Sequence, residues 1–203
     1  MKLVIGIAGI KFSGKNDAYK FLETLLLERG HTIARISSGE LIRGSIAYWK
    51  IPETNRNLQR FAKLLVEELW EGMEARGRKA IISNVVKDII NSSPQDVVVF
   101  DGVRWRTDVD MIKSFPQSLI IYIDASEETC RKRTAGRKEK AGEGELMTES
   151  DFRNLLSRPT ETWIPQIKRF GFADCVVENE GSKEELKELV RVIVEAEILP
   201  RLK

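Results

Sequence analysis

The chain has one histidine, two cysteines and no long run of apolar residues. Each shortage removes a class of function. His31 alone cannot build a histidine-rich metal centre, and Ser–His hydrolase chemistry would rest entirely on it. It follows Arg29-Gly30 just before an apolar run, so it reads as a surface turn residue. Cys130 and Cys175 lie far apart and outside any C-x-x-C motif. Two reduced thiols in a cytoplasmic protein are therefore expected. No stretch approaches the ~18 apolar residues of a membrane span. The N-terminal segment lacks a cleavage pattern and reads as a first strand. A dominant charge is also missing. With 33 Lys and Arg against 31 Asp and Glu, the net charge is +2. No overall field draws such a chain to a membrane or to nucleic acid, and neither is expected as a partner. The 203 residues, 42% hydrophobic and 32% charged, suit a single soluble domain with a sizeable core.

What the chain does have stands at its start. Residues 3 to 15 read LVIGIAGIKFSGK. An apolar run enters a loop of the pattern G-x-x-x-x-G-K, and the helical pattern DAYKFLETLLLERG follows at once. Glycines let successive N–H groups turn inward on a phosphate, the helix start adds partial positive charge, and Lys15 adds a full one. The strand–loop–helix context makes this a phosphate-binding loop formed by Gly9, Ile10, Lys11, Phe12, Ser13, Gly14, Lys15, Asn16 and Asp17. One position departs from the pattern. Asn16 stands where Ser or Thr would carry a hydroxyl to Mg²⁺. The metal would then be held by the Asn16 amide oxygen, through water, by Asp17, or by a carboxylate elsewhere.

Strand candidates are 3–8, 32–36, 97–101, 119–124 and 175–179, each apolar on both faces. Helical patterns fall near 14–29, 38–49, 55–76, 79–92, 105–115, 126–135, 149–157 and 182–199. The alternation predicts a three-layer α/β/α fold on a five-stranded parallel sheet. The spacing is uneven. The stretch between the second and third strands is largely helical, with apolar spacing at Leu58, Phe61, Leu65 and Leu69. A polar, Gly-bearing stretch near 133–150 reads as a loop without core or as a lid over a charged ligand. One domain, 1–203, is expected. Its core is 1–37, 95–132 and 159–203, with a helical insertion at 38–94 and a lid at 133–158.

Three further segments would meet the phosphate loop at the carboxyl ends of the strands, where open α/β sheets bind ligands. Asp101 ends an apolar strand and suits a metal, with an N-cap for the next helix as the alternative. Arg104 follows and could grip a phosphate, with Arg106 as its competitor. Ser38 could cap the helix through Arg43, whose charge could reach an anionic acceptor. Arg131, Lys132, Arg133, Arg137 and Lys138 crowd the start of the polar stretch. Of Arg153 and Arg158, one would face the site. Trp49, Trp70 and Trp105 follow helical apolar spacing and read as packing residues.

These segments carry a family resemblance. ISSGELIR, DGVR and RTAGR, behind GIKFSGKN, resemble the acceptor, metal and lid segments of the P-loop nucleoside monophosphate kinases of the adenylate kinase type. The resemblance runs through the whole chain. It extends to phage-type deoxynucleoside monophosphate kinases, animal-type phosphomevalonate kinases and dephospho-CoA kinase. DGVR is one residue shorter than the adenylate kinase version.

By that resemblance the fold is the P-loop nucleoside triphosphate hydrolase fold. The activity is transfer of the ATP γ-phosphoryl group to a phosphorylated acceptor, a nucleoside monophosphate first, with Mg²⁺ as cofactor. Lys15, Arg104, Arg133 and Arg137 would be catalytic. Asp101 and Asn16 would hold the metal. Ser38, Gly39, Arg43 and Arg104 would hold the acceptor, and the helical insertion would surround it. The alternatives are a dephospho-CoA or phosphomevalonate kinase-like activity, or a nucleotide-binding regulator with little turnover. The nucleobase and the oligomeric state are not encoded in any motif.

Overall fold

The computed structural model describes residues 2–54, 57, 58, 60, 61, 64, 75–141 and 148–202, with the backbone alone at 75–81, 135–141, 159 and 160. Five strands, β1 (Leu3–Ala8), β2 (Ile33–Ser37), β3 (Val97–Val103), β4 (Ser118–Asp124) and β5 (Cys175–Glu178), form one parallel sheet in the order β2-β3-β1-β4-β5. The three inner strands carry the unbroken apolar runs, and β1 and β3 are buried along their full length. The edge strands β2 and β5 are only partly covered.

Alternation along β1 sorts the core into two layers. Leu3, Ile5 and Ile7 face one side and pack with Leu22 and Leu26 of α1 (Lys15–Leu27) and with Leu186, Val190 and Ile193 of α9 (Lys183–Ile193). Val4 and Ala8 face the other, with Val86 and Ile90 of α3 (Ala75–Ser92) and Val109 and Ile112 of α4 (Arg106–Lys113). The α9 start is fixed by a reciprocal cap. Ser182 Oγ accepts from Glu185 N–H, and Glu185 Oε2 accepts from Ser182 N–H at 2.7 Å.

The remaining helices are α2 (Ser38–Tyr48), α5 (Glu127–Ala141), α6 (Glu149–Leu156), α7 (Pro159–Trp163) and α8 (Pro165–Arg169). The last stripe of the chain leaves α-geometry after Ile193, with a π-turn at Val194–Ile198 and a 3₁₀ turn at Leu199–Arg201. Helix α5 runs on past the expected break at 135. Its sequence there, rich in Ala, Arg, Lys and Glu, has good helix propensity despite one glycine. The centre of the expected lid, 142–147, and the insertion positions Leu65, Leu69 and Trp70 lie outside the described residues. Among the described residues no helix is long and apolar enough to cross a membrane.

Candidate functional site

The loop between β1 and α1 leaves the carboxyl end of the central strand. Its backbone turns through positive φ at Gly9 (145°), Phe12 (71°) and Gly14 (105°). Left-handed geometry at Phe12 costs a non-glycine residue about 1–2 kcal/mol. Such strain persists where the surroundings over-determine the loop. Here they do. Ile10 and Phe12 pack against Ala125, Cys130 and Phe152. The Lys11 N–H donates to Glu161 Oε2 at 2.9 Å. The Ser13 carbonyl accepts from Asn179 Nδ2 at 2.7 Å and from Arg133 Nη1 at 3.1 Å. A Cβ on Gly14 would stand 2.2 Å from Asn179 Nδ2, so the close approach of Asn179, as well as φ, demands glycine there.

Lys15 opens α1 and folds its ammonium back into the loop. Nζ donates to the Gly9 carbonyl at 2.6 Å and the Ile10 carbonyl at 2.9 Å. The residue as a whole is partly exposed, but the amine itself is desolvated. Burial, then the nearby Arg104 charge, pull its pKa down from 10.5 to about 8, while Asp101 and Glu161 oppose the shift. Cys130 lies close by, and burial pushes its thiol up to about 11, away from the range of a reactive thiolate.

Two ion pairs flank the lysine. Arg104 Nη1 donates to Glu161 Oε1 at 2.9 Å, with Glu161 only 4% exposed. Arg35 of β2 donates through Nη2 to Asp101 Oδ2 and, at 3.0 Å, to Asn16 Oδ1. The approach to Arg104 is shaped by Asp108. Its buried carboxylate accepts the N–H groups of Arg104 (2.8 Å) and Trp105 (3.0 Å) and the Ser83 hydroxyl (2.6 Å). Burial raises the Asp108 pKa against the pull of those donors. Asp108 thus closes the start of α4, and Asp101 does no capping there. Arg104 stands close enough to Lys15 to lower its pKa, whereas Arg106 pairs with Asp110 at 2.7 Å and lies over the Phe172 ring.

Asp101 owes its position to a bulge. Ile7 pairs with Asp101 and Ala8 with Val103, so Gly102 is an extra residue in β3. A Cβ on Gly102 would lie 2.6 Å from Ser38 Oγ. That contact corrects the expected role of Ser38. The helix begins at Ser38, its N-cap residue is Ser37, and neither a Ser37 nor a Ser38 hydroxyl caps it. Ser38 instead packs on the bulge. Arg43 lies beside Gly39 and pairs with Glu53 at 3.0 Å, both well exposed.

The remaining candidates are dispersed. Asp17 pairs with Lys183 of α9. Arg133 stands beneath the loop, with its guanidinium committed to the Ser13 and Asn179 carbonyls and to Asn179 Oδ1. Arg137 is on α5, and its side chain lies outside the described residues. Arg153 turns to solvent and pairs with Glu149, whereas Arg158 is half-buried. Three contributors had no motif in the sequence: Arg35, Glu161 and Asn179. A charge in the middle of the apolar run TIARI was the available sign for Arg35.

The implied Mg²⁺ would sit between Asn16 and Asp101. Asn16 and Asp101 offer hard oxygens of the right kind. Both are already engaged by one Arg35 nitrogen. Among the described residues no group of three or more His, Cys, Asp or Glu could hold a metal. The arrangement does not fit a protein-bound divalent ion between Asn16 and Asp101.

No protein-family model matches the chain. Along most of its length it is similar to UPF0200 proteins. It is 29% identical over 197 residues to one from Methanoculleus marisnigri, covering 94% of each chain. It is 26% identical over 194 residues to one from Thermococcus gammatolerans, covering 95% of this chain and 94% of the other. Among solved structures it resembles a shikimate kinase from Acinetobacter baumannii in complex with shikimate, with TM-score 0.55, 15% identity, and coverage of 100% and 97% of the two chains. It resembles Chaetomium thermophilum Kti12 in complex with ADP-AlF3, with TM-score 0.55, 16% identity and coverage of 95% and 98%. A gluconokinase from Sinorhizobium meliloti gives 0.52 at 14% identity, with coverage of 95% and 94%. The fold is that of the P-loop kinases. At these identities the likeness is one of fold, and the chemistry has to be argued from the site.

Proposed function

We propose that the chain is an ATP-dependent kinase that passes the γ-phosphoryl group to a small phosphorylated acceptor, a nucleoside monophosphate first. The observation that carries this reading is the Lys15 ammonium held inside a strained glycine loop at the carboxyl end of the central strand, with Arg104 beside it. A phosphate entering the loop would take over the donors that Lys15 now gives to carbonyls, and its charge would restore the lysine to its ordinary range.

Phosphoryl transfer asks for positioning and charge neutralisation, since the acceptor's own oxygen attacks in line. Lys15 supplies charge at the transferred group. Arg104, aimed by Asp108 and held by Glu161, supplies the second cation on the acceptor side. Arg133 and Asn179 keep the loop backbone in shape from below. Arg43, Ser38 and Gly39 form the side on which the acceptor would arrive, and Arg137 comes from α5. Mg²⁺ is not assigned to protein ligands.

A nucleotide-binding regulator is the second reading. It is favoured by Arg35 across the metal position. The shikimate kinase and gluconokinase of the same fold make acceptors other than nucleotides worth testing. The test is ADP release with ATP and Mg²⁺ over a panel: AMP, CMP, UMP, GMP, the deoxy monophosphates, dephospho-CoA and phosphomevalonate. A strong response to one acceptor is expected. ATP binding without any acceptor-dependent ADP release would replace the kinase reading with the regulator.

A further inference from the structure

Asn16 and Asp101 are the two positions at which a nucleotide site of this build would face a divalent ion. One side chain already spans them. Arg35 comes from β2, next to β3 in the sheet, and its Nη2 reaches Asn16 Oδ1 and Asp101 Oδ2 together. Its guanidinium lies 4.8 Å from the centroid of the Tyr19 ring. Tyr19 is itself fixed, its hydroxyl donating to Glu23 Oε1 at 2.5 Å. Three contacts thus hold one guanidinium, and its Nε is buried without a partner. A planar cation can stack on the ring and donate to both oxygens at once.

The consequence is electrostatic. Asp101 is 7% exposed, and its charge is compensated by a tethered cation. Little field remains there to draw a second cation from water. We infer that Arg35 is a built-in substitute cation that closes the Asn16–Asp101 gap to free divalent metal, so that any metal enters as a complex with the nucleotide phosphates. The inference rests on the nucleotide-site reading above for its meaning, but its test does not.

The test is Mn²⁺ binding to the nucleotide-free protein, followed by loss of the free-ion EPR signal. The wild type should bind no Mn²⁺ through Asp101. Arg35→Met should gain a site at least about tenfold tighter than any in the wild type, since an unpaired carboxylate then faces the gap. Asp101→Asn in the Arg35→Met background should remove the gained site. Arg35→Met leaves a buried carboxylate unpaired, so Arg35→Gln, neutral but polar, carries the same comparison if the first variant does not fold. Arg35→Lys keeps the charge and should stay metal-free. Mn²⁺ binding by the wild type that Asp101→Asn abolishes would overturn the inference. So would neutral variants that bind no more Mn²⁺ than the wild type. ATP binding in EDTA, measured separately, tests the nucleotide reading. Its absence would sink that reading and leave the Mn²⁺ comparison to be decided on its own result.

Discussion

Ser13 in the phosphate loop and Arg43 on α2 both lie beyond the carboxyl ends of the strands, yet they are held in opposite ways. Ser13 is fully buried, and its carbonyl accepts two hydrogen bonds from residues more than a hundred positions away. Glu161 grips the same loop at Lys11. Arg43 is half-exposed and meets one exposed carboxylate, Glu53. Tyr48 and Trp49, at the end of the same helix, are exposed as well. A buried, multiply bonded loop resists rearrangement, whereas an exposed pair contributes about 0–1 kcal/mol and re-forms readily. The first wall is fixed by the fold itself. The second is not.

Lys15→Ala should have the largest effect. It removes a charge aimed at the transferred group, worth about 3–4 kcal/mol or a factor of about 10²–10³ in kcat. The melting temperature should stay near the wild-type value, because a desolvated ammonium is not a stabilising group. Near-normal kcat would mean that the pre-built wall is not the catalytic one. Asn179→Ala tests whether the wall is pre-built at all. It takes one donor from the Ser13 carbonyl and one acceptor from Arg133, at an expected cost of about 1–3 kcal/mol in urea unfolding, with weaker ATP binding. Unfolding at the wild-type urea midpoint with undiminished ATP affinity would show that the loop needs no support from β5.

The Lys15 pKa gives a third, smaller signal. A base whose pKa is depressed in the fold has its charged form penalised. That penalty is complete below about 8 and is relieved as pH rises from there toward 10.5. Phosphate binding needs the ammonium. ATP binding should therefore take up a proton above about pH 8 and none well below it, as calorimetry in buffers of different ionisation enthalpy would reveal. Equal heats at pH 9 in every buffer would mean that Lys15 is charged throughout. The smallest effect belongs to the other wall. Arg43→Ala should shift stability by no more than about 0.5 kcal/mol. It should raise KM for a phosphorylated acceptor and leave ATP affinity unchanged. A variant that unfolds, or loses ATP instead, would erase the contrast between the walls.

The same contrast explains what the sequence made legible. The three inner strands were visible because buried parallel strands read as continuous apolar runs, and β1 falls at 3–8 as expected; the edge strands β2 and β5 were visible from shorter Val- and Ile-bearing runs although they are only partly covered. The phosphate loop was visible because glycine and lysine positions encode a backbone shape. Arg104 could not be ranked above Arg106 from spacing alone. The difference between them is made by Asp108, Glu161 and Phe172, which approach from other elements. Helices α7 and α8 are five residues each, too short to show a period. Glu161 sits on one of them, and a buried acid with distant partners has no local signature. Asn179 follows β5 directly, and its role depends on Ser13, far back in the chain. Local pattern encodes elements and backbone turns; contacts across the crevice are encoded by no segment.

The link between Ser13 and Asn179 spans 166 positions. Residues 9–14 are synthesised well before the side chain that sets their backbone. Domains acquire their long-range contacts only when the later segment has been made. A nascent chain therefore carries the glycine loop in sequence but not in shape until the segment around Asn179 has been made and docked.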